Sequence, residues 1–165
     1  MKKLFLAILL ISISTTSFGQ EKLKTTSGHI KFFSTTPAEN IEANNYKAIS
    51  NLTPSTGDLV FSIPMQSFEF EKSLMQKHYN SKKFLNTKKF PKAKFKGSIT
   101  NLSAINFSKD GTYTADVSGD LTIHGVTNKV SEKMMFTIKN GTVTGTTSFD
   151  ITLADYDVVF TKGKP

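Results

Sequence analysis

The apolar positions of this chain alternate. From Lys92 to Ile99, Ala93, Phe95, Gly97 and Ile99 fall on one parity, and Lys92, Lys94, Lys96 and Ser98 on the other. Side chains alternate across a strand, so this stretch predicts a strand with one dry face and one cationic face. The same split recurs. Glu21–Thr25 reads as a short first strand, and Gly28–Ser34 as a strand with Ile30 and Phe32 on one side. Glu39–Ser50 reads as a more polar strand carrying Ile41, Ala43, Asn45 and Lys47 on one face, since Asn44-Asn45-Tyr46 makes a poor helix centre. Asp58–Ile63 alternates through Leu59, Phe61 and Ile63, and Phe68 and Phe70 keep the spacing of two. Later, Tyr113 to Ile123, Val126 to Lys139 and Val143 to Leu153 alternate in the same way, the last two joined at Asn140-Gly141, a strong hairpin signal. Lys109-Asp110-Gly111 is a further hairpin signal, and Gly125 allows a bend.

Only one segment changes period. Leu74, Met75, His78 and Tyr79 lie at helical spacing within Glu71–Tyr79, and Ser81 can cap a further turn through Phe84-Leu85. Long strands with one wet face and so little helix are best served by closure, which removes exposed edges. The expectation is an all-β, antiparallel, eight-stranded barrel with a short helical insertion. Gly97, Gly119, Gly145, Ala93 and Ala115 fall on the inward parity, where small residues predict interior space or tight coiling.

Composition narrows the setting. Met1-Lys2-Lys3, the apolar run Leu4–Ile13 and the small residues before Gln20 read as a signal peptide over residues 1–19, leaving a single domain over 20–165. The expected location is periplasmic or secreted. The chain has no cysteine, so packing and ladder hydrogen bonds must hold it together. Its formal charge is +8, and every basic residue is Lys. Without the Arg fork that grips guanine edges and phosphates, nucleic acid is an unsuitable partner. Lys82, Lys83, Lys88, Lys89, Lys92, Lys94 and Lys96 form the densest basic cluster, a solvated face or one suited to an anionic membrane surface.

Catalytic signals are missing. His29, His78 and His124 have no carboxylates at metal-ligand spacing, and there is neither a nucleophile motif nor a phosphate-cradling glycine loop. No enzyme activity, metal or cofactor is expected.

Two stretches carry a family resemblance. His78-Tyr79-Asn80-Ser81-Lys82-Lys83-Phe84-Leu85-Asn86-Thr87-Lys88-Lys89-Phe90-Pro91 resembles the H-x-x-S-x-x-F-L-(D/N)-x-x-x-(F/Y)-P signature of the YceI-like family. Gly119-Asp120-Leu121-Thr122-Ile123-His124-Gly125-Val126-Thr127 resembles its G-x-L-T-(I/L)-(H/R)-G-V-T signature. The resemblance implies a lipocalin-like barrel with an elongated apolar pore that binds polyisoprenoid chains or other long amphiphiles.

The candidate ligand-binding set is Ile30, Phe32, Phe61, Phe68, Phe70, Leu74, Met75, His78, Phe84, Phe90, Phe95, Leu121, Ile123, Met134, Phe136 and Phe149, with Leu74, Met75, His78 and Phe84 at one mouth. Burying a methylene contributes roughly 0.8 kcal/mol, whereas association costs on the order of 4–15 kcal/mol. A ligand held by apolar contact alone therefore needs about twenty buried carbons. The sequence thus suits a binding protein for a long isoprenoid or acyl chain; a filled barrel that binds a protein or glycan partner is the alternative.

Overall fold

The computed structural model describes residues 22–35 and 40–159; the expected signal peptide lies outside them. Eight strands and one helix follow in order: β1 Leu23–Thr35, β2 Asn40–Thr53, β3 Asp58–Pro64, β4 Glu69–Phe70, α1 Ser73–Asn80, β5 Lys92–Ile99, β6 Gly111–Ile123, β7 Val126–Lys139 and β8 Thr142–Thr146. They form one antiparallel sheet in the order β1-β2-β3-β5-β6-β7-β8, with the two-residue β4 on β2. Among the described residues no ladder joins β8 to β1, so the barrel is nearly closed. The all-β architecture and the helical insertion are as the alternation predicts.

Two tight hairpins set the register of the second half. His124 and Gly125 both have positive φ (52° and 82°), as do Asn140 and Gly141 (50° and 76°), the twist that two-residue turns between right-twisted strands require. The first turn is a complete hairpin, more than the bend its glycine suggests. The β5–β6 connection differs from expectation: it runs from Thr100 to Asp110 through a 3-10 turn at Leu102–Ala104, so Lys109-Asp110-Gly111 ends a loop and does not make a hairpin. Asn101 explains the detour. Its amide donates to Thr114 O (3.2 Å) and its side-chain oxygen accepts from Asp116 N (2.7 Å), tying the loop to β6.

The polar strand is a strand, but its faces exchange midway. β1 and β2 carry register shifts between Thr25 and Gly28 and between Gly28 and Ile30. One face of β2 therefore carries Ala43 and Asn45 inward, and after the bulge Ala48 takes their place while Lys47 is exposed. Asn45 makes the bulge tolerable. It is fully buried, donates to Pro64 O (2.8 Å) and accepts from Lys47 N (2.9 Å). A buried amide with both ends paired braces the irregular backbone at little desolvation cost.

β8 stops at Thr146, short of the strand expected to Leu153. The chain beyond it continues to a 3-10 turn at Leu153–Tyr156, which packs against β7: Asn128 donates to Asp155 O (2.7 Å) and Tyr156 is buried.

Candidate functional site

The inner face is mostly apolar. Leu59, Ala93, Phe95, Ile99, Ala115, Val117, Leu121, Ile123, Met134, Phe136 and Ile138 are buried, with Ile30, Phe32, Phe61, Phe70 and Phe84 partly buried against them. Ladder pairing places Phe61 opposite Phe95 and Phe95 opposite Leu121, so two rings and a leucine stand in one row across three strands. The Phe61 and Phe95 centroids are 6.1 Å apart, within the range of favourable tilted contact.

The expectation of space at the inward glycines is corrected. A Cβ on Gly97 would lie 2.5 Å from the Phe95 ring, and one on Gly119 2.8 Å from the same ring. One on Gly145 would meet Met134 at 2.6 Å and Phe136 at 3.0 Å. Neighbouring large side chains already occupy the room these glycines leave. Phe107 closes further on Phe136, centroids 5.5 Å apart. At these positions the interior is filled by neighbouring side chains.

One end of the barrel carries both signature stretches. Met65 N donates to Pro91 O (2.9 Å), pinning the base of the excursion that leaves β3 and returns to β5. Within it Gln76 joins α1 to β4: its amide donates to Phe68 O (2.8 Å) and its oxygen accepts from Phe70 N (3.1 Å). Tyr79 is buried among Phe68, Phe70 and Phe84, with centroids 5.6, 4.9 and 6.5 Å away. Burial pushes its hydroxyl pKa well up, since the phenolate cannot be solvated there. The helix thus buries Tyr79, with Met75, Gln76 and Asn80 half-buried, whereas Leu74 and His78, both expected at the mouth, are exposed. The predicted apolar stripe is one residue out of phase because Gln76, chosen for its bonds to β4, turns inward in place of Leu74.

Residues 81–89 do not extend the helix. Ser81 O accepts from Phe84 N and Asn86 N, and Asn86, at positive φ, accepts from Lys89 N and Phe90 N. Buried Thr87 donates to Asn80 Oδ1 (2.7 Å). The part of the first signature after Asn80 is therefore a self-bonded loop. The loop delivers Phe90 to the second signature: the Phe90 ring meets His124 edge-on at 4.5 Å and stands over Gly125. His124 Nδ1 lies 3.3 Å from Tyr156 O, which links the same turn to the C-terminal segment.

Two residues escape sequence reasoning. Glu132 sits on the inward parity of β7, half-buried and opposite buried Val117. Period two alone could have placed this carboxylate. Tyr79 could be placed on the helix, but its depth depends on three aromatics from distant positions.

Among the described residues no three His or acidic side chains converge as metal ligands, and no buried side-chain nitrogen or oxygen lacks a partner. His29 stacks on Tyr46 (4.6 Å) and bonds to Asn44. A cleft of about 290 Å³ beside α1 is lined by Asn40, Glu42, Asn44, Glu69, Glu71, Lys72 and Met75. There the Lys31 ammonium, 2.8 Å from Glu42, lowers the Glu42 pKa, chiefly through its hydrogen bond. A second cleft, about 140 Å³, lies between β7 and the segment after β8, where Phe149, expected in the ligand-binding set, is exposed because its segment does not pair with β7. Lys82, Lys83, Lys88 and Lys89 are exposed on the loop, and Lys92, Lys94 and Lys96 on the outer face of β5.

The model of the YceI-like domain matches residues 11–164. A UPF0312 protein of Pseudomonas fluorescens is 48% identical over 60 residues, covering 36% of this chain and 29% of that protein. A counterpart in Pseudomonas putida is 45% identical over the same length, with 28% of it covered. The chain thus spans under a third of the relatives it matches. Among solved structures, a polyisoprenoid binding domain from Saccharophagus degradans superposes with a TM-score of 0.69 at 13% identity, over 83% of this chain and 80% of that one. Burkholderia cenocepacia BcnA superposes with a TM-score of 0.52 at 16% identity, over 82% and 72%. At such identities these likenesses speak for the fold.

Proposed function

The chain belongs to the YceI-like domain family, and from that premise we propose that it is a periplasmic or secreted binding protein for a long apolar chain, a polyisoprenoid or similar lipid. The observation that carries the reading is the wall of apolar side chains running across β3, β5, β6 and β7, with Phe61, Phe95, Met134 and Phe136 as its largest members. The likeness to the Saccharophagus degradans domain, described as polyisoprenoid binding, supports it. Binding acts by desolvation alone. The ligand displaces the rings that fill the interior, with Phe61, Phe95, Leu121, Ile123, Met134 and Phe136 as its wall and Ile30, Phe32, Phe68, Phe70, Met75, Phe84 and Phe90 around it. Ring displacement costs packing, and only a long chain returns enough buried area to offset it. The exposed lysines beside the signature loop favour approach to an anionic lipid surface, each contributing about 1 kcal/mol near such a membrane.

The experiment is native mass spectrometry and solvent extraction of the protein purified without detergent. A co-purifying isoprenoid or acyl lipid is expected. Recovery of the empty chain, together with no uptake of added polyprenol, would end this reading. The packed interior favours a second one, a filled barrel that binds a protein or glycan through its outer surface, and that result would select it.

A further inference from the structure

Between Thr146 and Leu153 the chain has the alternation of a strand and the position of a strand, yet it makes no ladder. Thr147, Phe149, Ile151 and Leu153 share one parity. The β7–β8 ladder ends at Met135 opposite Thr146. Continuing that register would set Met134 opposite Thr147, Glu132 opposite Phe149 and Val130 opposite Ile151. All three β7 residues lie on its inner parity, Met134 buried and the other two half-buried. In such a pairing Phe149 and Ile151 would join the inner wall. In the structure both are exposed, at 36% and 41%, and line the cleft that separates this segment from Asn128, Lys129 and Val130.

The segment is tethered at both ends. Thr147 Oγ1 donates to Lys133 O (2.7 Å) on one side. On the other, Asn128 holds Asp155 O, where the continued register would set Leu153, two positions earlier. The segment therefore bows away from β7 with slack to spare, like a strap. Glu132 gives a reason for the bow. Zipping would press its carboxylate between Val117 and Phe149, a burial that carboxylates resist without a partner. The zipped state gains backbone hydrogen bonds and two apolar side chains, and the bowed state keeps Glu132 near water.

We infer that residues 147–152 form a side gate to the barrel interior, bowed to admit an apolar chain between the strap and β7 and zipped onto β7 to enclose it. The inference rests on the binding reading above and adds the route of entry, through the wall and not the α1 end.

The chain has no cysteine, so a cross-link can be placed cleanly. Two double variants, Val130→Cys/Ile151→Cys and Glu132→Cys/Phe149→Cys, join positions that are opposite only in the zipped register; circular dichroism and thermal melting check that each folds. Mild oxidation should close the disulfide and protect the amides of residues 148–152 from hydrogen exchange. It should also slow uptake of a dansyl-labelled polyprenol about tenfold, with reductant restoring the rate. Folded variants that form no disulfide, or form one without amide protection, would show that the strap does not zip. A disulfide with unchanged uptake would show that the ligand enters elsewhere. If the reduced proteins and the parent chain all fail to take up the probe, the binding reading fails and the gate role with it, while disulfide yield and amide protection still decide whether the strap pairs with β7.

Discussion

Gly97 of β5 and Gly119 of β6 stand directly opposite each other, so close that a Cβ built on Gly119 would lie 2.5 Å from the Gly97 Cα. The Phe95 ring fills the inward side of this contact. The pair lets the two strands approach closely and leaves room for one large ring. The close approach of β5 to β6 and the seating of the Phe95 ring therefore depend on the same two missing side chains.

Gly119→Ala is expected to destabilise the protein by about 1–3 kcal/mol, since the Gly97 Cα and the Lys96 carbonyl oxygen of β5 would each lie 2.5 Å from the new methyl and cannot yield without moving the ladder. Urea denaturation measures it. An unchanged midpoint would mean that the strands separate more easily than their register suggests.

Phe95→Ala separates packing from binding. Removing the ring should cost about 3–5 kcal/mol in the unliganded protein, the range for a buried Phe. The vacated space should then accept an isoprenoid more readily, so added polyprenol should raise the melting temperature of the variant more than that of the parent. Equal shifts would place the ligand away from Phe95.

Tyr79 makes stability depend on alkaline pH. Its folded pKa is raised by burial above the ordinary value of 10.0, so the unfolded chain releases this proton first. Below pH 10 the group is neutral in both states and has no effect. As pH rises past 10 towards the folded value, stability falls by up to about 1.4 kcal/mol per pH unit. The only hydrogen bond of the hydroxyl among those resolved is a long one to Met65 Sδ (3.9 Å), so Tyr79→Phe should cost little at neutral pH. Denaturant midpoints between pH 9 and 11 should diverge, the variant holding stability that the parent loses. Parallel curves would mean that the phenolate finds water.

Asn45→Leu should cost about 1–3 kcal/mol despite the added apolar surface, because Pro64 O and Lys47 N lose their partner at a buried bulge. Hydrogen exchange at Lys47 and along β2 should rise in the variant. Unchanged exchange would show that the bulge closes without the amide.

Phe90→Ala should loosen the contact between the two signature stretches. The half-buried ring meets both His124 and Gly125, and its loss is expected to cost about 1–2 kcal/mol, less than for a fully buried Phe. Amide exchange at Val126 and at Val158 would report whether the turn and the C-terminal segment loosen together, as the His124 link to Tyr156 predicts.

By itself the sequence determined the local matters. Alternation identified the strands and their dry faces, Asn140-Gly141 marked one turn, and the break in period at Leu74–Tyr79 located the helix, because each depends on residues a few positions apart. Which apolar residues do more than pack was not legible, since a wall and a plug have the same period. The tertiary structure decided what depends on distant partners. The bulge at Asn45 inverted the outer half of β2, Gln76 turned the helix by one residue, and Phe95 closed the space above Gly97 and Gly119. It also decided that β8 ends at Thr146 although the next residues alternate as well. Alternation makes a segment fit to be a strand, but a ladder also needs a facing edge that can accept it, and there the facing edge carries Glu132.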